Sequence, residues 1–131
     1  LLASCSVLQM AWHPLHDDNL VILTSDARLS LYNVAVNPEL PEQEYVLRDL
    51  RFSPSPPTSF TFPPADGWGY FTILIGTSAG ALHALCPVAP FMGRCPTGLV
   101  YKLMKSPVTS PESQAWLEGT FGSRAMLGDS T

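Results

Sequence analysis

The residues Gly76-Thr77-Ser78-Ala79-Gly80 have the types and spacing of a nucleophile, a G-x-S-x-G. In a nucleophile elbow the glycines let the chain turn sharply after an apolar strand, which lifts the serine to a helix N-terminus beside oxyanion-hole amides. Phe71 to Ile75 is apolar and supplies the strand. The rest of that chemistry is missing. Upstream of this motif the only glycines lie in Asp66-Gly67-Trp68-Gly69, too close to form an oxyanion loop on an earlier strand. A helix after the elbow would be stopped at Cys86 by Pro87. No aspartate in an Asp-Gly context follows, since Asp129 precedes Ser130. Ser-Ala-Gly reads more simply as a hairpin turn between two strands.

A second cluster is His13, His16, Asp17 and Asp18. Two imidazoles and a carboxylate can ligate zinc, but a site needs a further ligand from elsewhere, and His83 lies on a predicted strand. The expectation is a solvated loop between two strands, its turn fixed by His13-Pro14, with no metal and no cofactor. Cys86 and Cys95 could pair if the chain between them folded back. At the end of an apolar strand Cys86 reads instead as a buried thiol. No G-x-G-x-x-G or G-x-x-x-x-G-K-[ST] loop is present to cradle phosphate. Trp12, Tyr32, Phe60, Phe62, Trp68 and Phe71 fall at strand periodicity without accompanying cations, which assigns them to a core rather than to base stacking.

The elements that carry these residues come in two similar stretches. Val7 to Val34 holds an alternating run ending at Trp12-His13-Pro14, a continuous apolar run Leu20 to Leu23, the turn Thr24-Ser25-Asp26, and a second alternating run through Leu29 and Leu31. Alternation of period two suits a strand with one buried face, and a continuous run suits one covered on both faces. Three such strands joined by tight turns predict an antiparallel meander. Ser59 to Val88 repeats the order, with Phe60 and Phe62 before Pro63-Pro64, then Phe71 to Ile75, then Thr77 to Leu82. Trp12 and Phe62 are 50 residues apart, Thr24 and Thr77 53. A period of roughly 40–50 residues with a few strands per unit is that of propeller blades.

Composition bounds the rest. Apolar residues make up 46% and charged residues 14%, so the chain has the means to form a core. A net charge of −4, with seven Lys and Arg scattered along the chain, excludes a nucleic-acid surface and an acidic-leaflet binder, both of which need clustered cations. No apolar run approaches the ~20 residues that span a bilayer. Leu1 is not a start methionine and no signal-type segment follows it, which suggests a true N-terminus upstream. Three cysteines without a C-x-x-C read as reduced, intracellular thiols.

In order along the chain, the expected organisation is two blades over residues 1–93 and a divergent segment over 94–131. The blade-like units span 7–50 and 59–88, with a proline-rich loop at 51–58. Leu1 to Ser6 reads as the end of a preceding strand, and Glu44 to Leu50 as an outer fourth strand of the first unit. Ser110-Pro111-Glu112 is a helix start, with serine as cap, proline at the first position and an acid at the positive end of the dipole. That helix is predicted near 111–118, stopping at Gly119, and Trp116-Leu117 gives it a face that needs a surface to dock on. The tail from Gly122 is unpatterned.

Several phrases in order now carry a resemblance. Ala11-Trp12-His13-Pro14, Leu23-Thr24-Ser25-Asp26 leading to Leu29, Leu31 and Tyr32, Pro41-Glu42-Gln43-Glu44-Tyr45, Ser59 to Phe62, Trp68 with Phe71-Thr72, Leu82 to Gly93 and Ala115 to Phe121 together resemble the N-terminal propeller of the eighty-eight-kilodalton nucleoporin family, its plant-type members in particular. Arg51–Pro57 and Gly93–Ser110 depart from the pattern. The resemblance implies a non-enzymatic docking component on the cytoplasmic side of the nuclear pore complex at the nuclear envelope. It implies a propeller-docked partner nucleoporin, assembly with Phe-Gly-repeat nucleoporins through a C-terminal coiled coil, and indirect support of export receptors and mRNA. Two other readings are a WD-type interaction scaffold outside the pore and a serine hydrolase acting through Ser78, whose Gly-Thr-Ser-Ala-Gly-Ala-Leu is similar to the nucleophile motif of patatin-like lipases. Two blades leave open the faces that neighbours would cover, so the isolated 131 residues are expected to be sticky or partly ordered.

Overall fold

The computed structural model describes residues 5–49, 55–91, 98–106 and 109–121. The first 45 of these form one antiparallel sheet in sequential order, β1 (Val7–Trp12), β2 (Asn19–Thr24), β3 (Arg28–Asn33) and β4 (Gln43–Val46), followed by a 3-10 turn at Leu47–Asp49. A second antiparallel sheet follows, β5 (Pro57–Thr61), β6 (Ile73–Thr77) and β7 (Leu82–Leu85), with a 3-10 turn Gly67–Phe71 between its first two strands. Two helices close the described chain, α1 (Leu99–Lys105) and α2 (Pro111–Phe121).

The central strands are the ones made of continuous β-branched and leucine residues. β2 is buried along nearly its whole length, because β1 and β3 flank it and its Val21 and Leu23 face enters the inter-sheet core. The hairpin turns repeat between the sheets. Ala27 donates to the carbonyl of Thr24 (3.1 Å), as Gly80 does to Thr77 (3.0 Å), and both turn residues have positive φ, 62° and 84°.

The two sheets lie face to face. Val21, Leu23, Leu29 and Leu31 of the first pack with Phe60, Ile73 and Ile75 of the second, joined by Leu47 and Val88. Gln9 seals the seam. Its side-chain amide donates to the Phe60 carbonyl (2.7 Å) and its amide oxygen accepts from the Phe60 N–H (2.9 Å), so one side chain stands in for a rung of strand pairing. A separate apolar cluster docks the helices: Leu99, Val100, Leu103, Leu117 and Phe121 close over Leu15, Phe71 and Ala89. Phe71 and Trp116 meet edge to face with ring centroids 5.1 Å apart.

Several expectations are corrected. The proline-rich loop ends earlier than expected, for Pro57 and Thr58 belong to β5; proline is tolerated there because β5 is an edge strand. Phe71 ends a 3-10 turn rather than opening a strand. The fourth strand is shorter than Glu44–Leu50, because Leu47 turns its side chain into the inter-sheet core. Ser110 does cap α2, its Oγ accepting from the Ser113 N–H (3.2 Å), but the helix continues through Gly119 to Phe121, whose ring is buried against Phe71. α1 was not expected at all. Trp12 is more than half exposed instead of core, since β1 turns Gln9 and Ala11 inward and Leu8, Met10 and Trp12 outward. Cys5 and Ser6 precede β1 outside any strand, and residues 1–4, Cys95 and the tail from Gly122 lie outside the described residues.

Candidate partner-docking surface

At one end of the first sheet the β1–β2 turn, the β3–β4 loop and the segment leaving the second sheet come together. Their positions are set by polar side chains acting on backbone. Asn33 is buried, and its Oδ1 accepts from the N–H groups of Ala35 and Val36 (3.2 Å each). Asn37 repeats the device four residues on, its Oδ1 accepting from Glu39 (2.9 Å) and Leu40 (3.2 Å). Such side-chain-to-backbone turns replace the ladder that Pro38 and Pro41 cannot extend. Val34 donates to the Asp18 carbonyl (3.0 Å), which ties this loop to the β1–β2 turn.

Glu42 anchors the third component. Its Oε2 accepts from the Phe91 N–H (3.0 Å), from Gln43 Nε2 (3.1 Å) and from Asn19 Nδ2 (3.3 Å). Gln43 Nε2 also donates to the Ala89 carbonyl (2.7 Å), which holds the segment after β7 against β4. Between them lies a cleft of about 470 Å³ lined by Asn33, Val36, Asn37, Leu40, Pro41, Glu42 and Phe91. Val36 (74% exposed), Leu40 (65%) and Phe91 (70%) stand on its walls.

The residues singled out for chemistry are placed elsewhere. Ser78 is exposed in the β6–β7 hairpin turn, its N–H donating to the Pro56 carbonyl (3.0 Å). The next element is strand β7 rather than a helix, so Ser78 does not start the helix that a nucleophile elbow needs. Gly80 is favoured there by its positive φ. His13 is 3% exposed, which corrects the expectation of a solvated loop. Its Nδ1 accepts from the Leu15 N–H (3.1 Å), and its ring meets Phe62 edge to face at 5.3 Å. Burial without a counter-charge lowers its pKa from 6.5 to about 4, so the ring is neutral. His16 pairs with the buried Asn19 (2.7 Å), while Asp17 and Asp18 are exposed. No group of three metal-ligating side chains occurs among the described residues. Cys86 is exposed rather than buried, its strand ending at Leu85. Gln9 and the cleft residues escaped the sequence reading. The paired Asn-x-x turns at Asn33 and Asn37 were the signal that could have revealed the cleft.

No family model matches the chain. Among curated proteins, it is 39% identical over 106 residues to the nuclear pore complex protein NUP88 of Arabidopsis thaliana, covering 76% of this chain and 12% of that protein. It is 28% identical over 148 aligned residues to the nucleoporin nup82 of Schizosaccharomyces pombe, covering 96% of this chain and 18% of that protein. The chain thus spans less than a fifth of the length of either relative. Among solved structures it superimposes on a chain of the Chaetomium thermophilum complex of the Nup82 N-terminal domain with the Nup159 tail and a Nup145N domain. The TM-score is 0.67 at 20% identity, over 92% of this chain and 30% of that one. The repeated meanders, the face-to-face sheets and these matches agree on a fragment of an antiparallel β-propeller, and the chain belongs to the NUP88/Nup82 family of nucleoporins.

Proposed function

We propose that this chain is part of a docking component of the nuclear pore complex, on its cytoplasmic face, that supports protein and mRNA transport by binding other nucleoporins. The 39% identity to NUP88 carries this reading. The solved Nup82 domain stands in a complex with a Nup159 tail and a Nup145N domain, which supports nucleoporin partners, one of them docked on the propeller. Phe-Gly-repeat nucleoporins, and through them export receptors, are the remaining partners. The role needs no catalysis, cofactor, direct nucleic-acid contact or membrane insertion. A rigid disc of stacked sheets serves it by offering fixed loops. The test is the location of the tagged full-length protein in its own cell. A punctate ring at the nuclear envelope, recovered with Phe-Gly nucleoporins, is expected; a diffuse cytosolic signal would overturn the reading.

The two blade-like units, 7–50 and 59–88, are the start of a longer stack in this reading. Leu8, Met10 and Trp12 are exposed on the outer face of the first sheet, beside Leu20 and Ile22. That face receives a further sheet of the same polypeptide. With every tryptophan but Trp12 replaced by phenylalanine, acrylamide should quench Trp12 readily in the 131-residue segment and poorly in the full-length protein. Equal quenching in both would refute the stacking.

A further inference from the structure

We propose that the cleft between the β3–β4 loop and Phe91 is a docking pocket for a short peptide segment of a partner protein, one that inserts a leucine- or phenylalanine-sized side chain and sets a lysine or arginine beside it. The inference rests on the reading that the chain works by binding partners, and gives one such contact its chemistry.

Three observations carry it. The first is rigidity. Val36, Leu40 and Phe91 are held out into solvent by backbone hydrogen bonds to Asn33, Asn37 and Glu42, not by a loose loop. Ordering such a loop costs nothing further on binding, which favours a preorganised site. The second is shape and polarity. A cleft of about 470 Å³ with two aliphatic walls, a proline and an aromatic ring suits one or two apolar side chains of a peptide. The third is charge. Among the described residues the Glu42 carboxylate at the pocket meets neutral donors, the N–H of Phe91 and the amides of Asn19 and Gln43. Among the described residues the ion pairs join Arg28 to Asp26 and Glu44, and none reaches Glu42. Glu39, on the same loop, is exposed and adds a second negative charge. A half-buried carboxylate beside apolar walls, with no cation among the described residues paired to it, complements a basic residue next to the inserted side chain. An acidic segment or a nucleic-acid phosphate is repelled by the same two charges.

The test uses the full-length protein and three fluorescein-labelled decapeptides read by anisotropy. One carries Leu-Phe flanked by arginines, one carries Leu-Phe flanked by glutamates, and one carries Ser-Gly flanked by arginines. Binding of the first, with the other two weaker by about tenfold, is expected when both the apolar insert and the charge contribute. Leu40→Asp should weaken the first peptide by about tenfold or more. Glu42→Gln, whose amide oxygen still accepts from Phe91, should weaken it by about threefold and flatten its salt dependence. Equal binding of the glutamate-flanked peptide overturns the proposal. So does binding untouched by Leu40→Asp, or self-association of the protein that Leu40→Asp abolishes. Circular dichroism and melting of both variants guard against loss of fold, and Val36→Ser provides a milder second variant with the same expected direction. Failure of the pocket is separable from failure of the pore reading. If no peptide binds while the wild-type protein rings the nuclear envelope, the pocket alone falls. If the protein is absent from the envelope, the pore reading falls whatever the peptides do.

Discussion

Met10 and Phe60 occupy the same place in the two sheets and meet opposite surroundings. Each pairs with the isoleucine two residues before the turn threonine, Met10 with Ile22 and Phe60 with Ile75. Each follows an irregularity in register three residues earlier, between Val7 and Gln9 or between Pro57 and Ser59. Yet Met10 is 53% exposed and Phe60 only 4%. The second sheet turns its Phe60 and Ile75 face to the shared core, whereas the first turns the other face, Val21 and Leu23, towards it. The sheets therefore stack front to back, as identical cards do, and not as mirror images. A front-to-back stack always leaves one front uncovered, and in these residues that front is the one bearing Met10 and Trp12.

The largest expected effect tests this directly. Phe60→Ala should cost about 3–5 kcal/mol in urea denaturation of the full-length protein, the usual range for a core phenylalanine. Met10→Ala should cost about 2–3 kcal/mol in the full-length protein, the value for a covered methionine. A cost below about 1 kcal/mol would mean that the front stays bare and the stack ends there.

His13 comes next in size and belongs to the seam, since its ring packs on Phe62, the residue that follows β5. Its folded pKa of about 4 lies below the ordinary 6.5, so the unfolded chain binds the proton more readily. Stability from this group is present above pH 6.5 and is lost as pH falls through that value towards 4, by up to about 3 kcal/mol at ~1.4 kcal/mol per unit. The check is the pH dependence of urea stability of the full-length protein, with His13→Asn as the control that should lose this slope. An unchanged slope would mean that a group other than His13 carries it.

Gln9→Ala should cost about 2 kcal/mol, because the Phe60 N–H and carbonyl both lose their partner in a partly buried place. The smallest effect sharpens the likeness of the sheets rather than their difference. Ala27 and Gly80 hold the same left-handed turn position. Gly80→Ala should destabilise by about 1 kcal/mol, while Ala27→Gly should be neutral or gain a few tenths, relief of strain offsetting the flexibility of glycine in the unfolded chain. Thermal melts of the pair, in the same background, decide it.

These contrasts also explain what could be read from the chain beforehand. The meanders, their repeat and the Ser110-Pro111 helix start were legible because each is a local pattern of period or capping. Which face of β1 turns inward was not, since Leu8, Met10 and Trp12 alternate with Gln9 and Ala11 and the apolar set is the natural choice for a core. Only the partner strand, offering the Phe60 backbone, makes the glutamine the inward residue. The burial of His13 is hidden for a similar reason, as nothing in His13-Pro14 announces Phe62 forty-nine residues away. α1 could have been found, for Leu99, Val100, Leu103 and Met104 have helical spacing. Of the cleft, the Asn33 and Asn37 turns could have revealed one wall, but not Phe91, which joins it from another part of the chain.

The Gln9 amide has one more consequence. Stacked sheets of one protein offer each other much the same leucines, valines and isoleucines, and oil-like contacts do not tell a neighbour from a near-neighbour. A side-chain amide that must find one free N–H and one free carbonyl at fixed spacing does tell them apart. A sheet docked two residues out of place, or out of turn in the series, would bury that amide without its match. Gln9 thus acts as an address within the protein, adding less to the strength of the seam than to the certainty that the first sheet closes on the second.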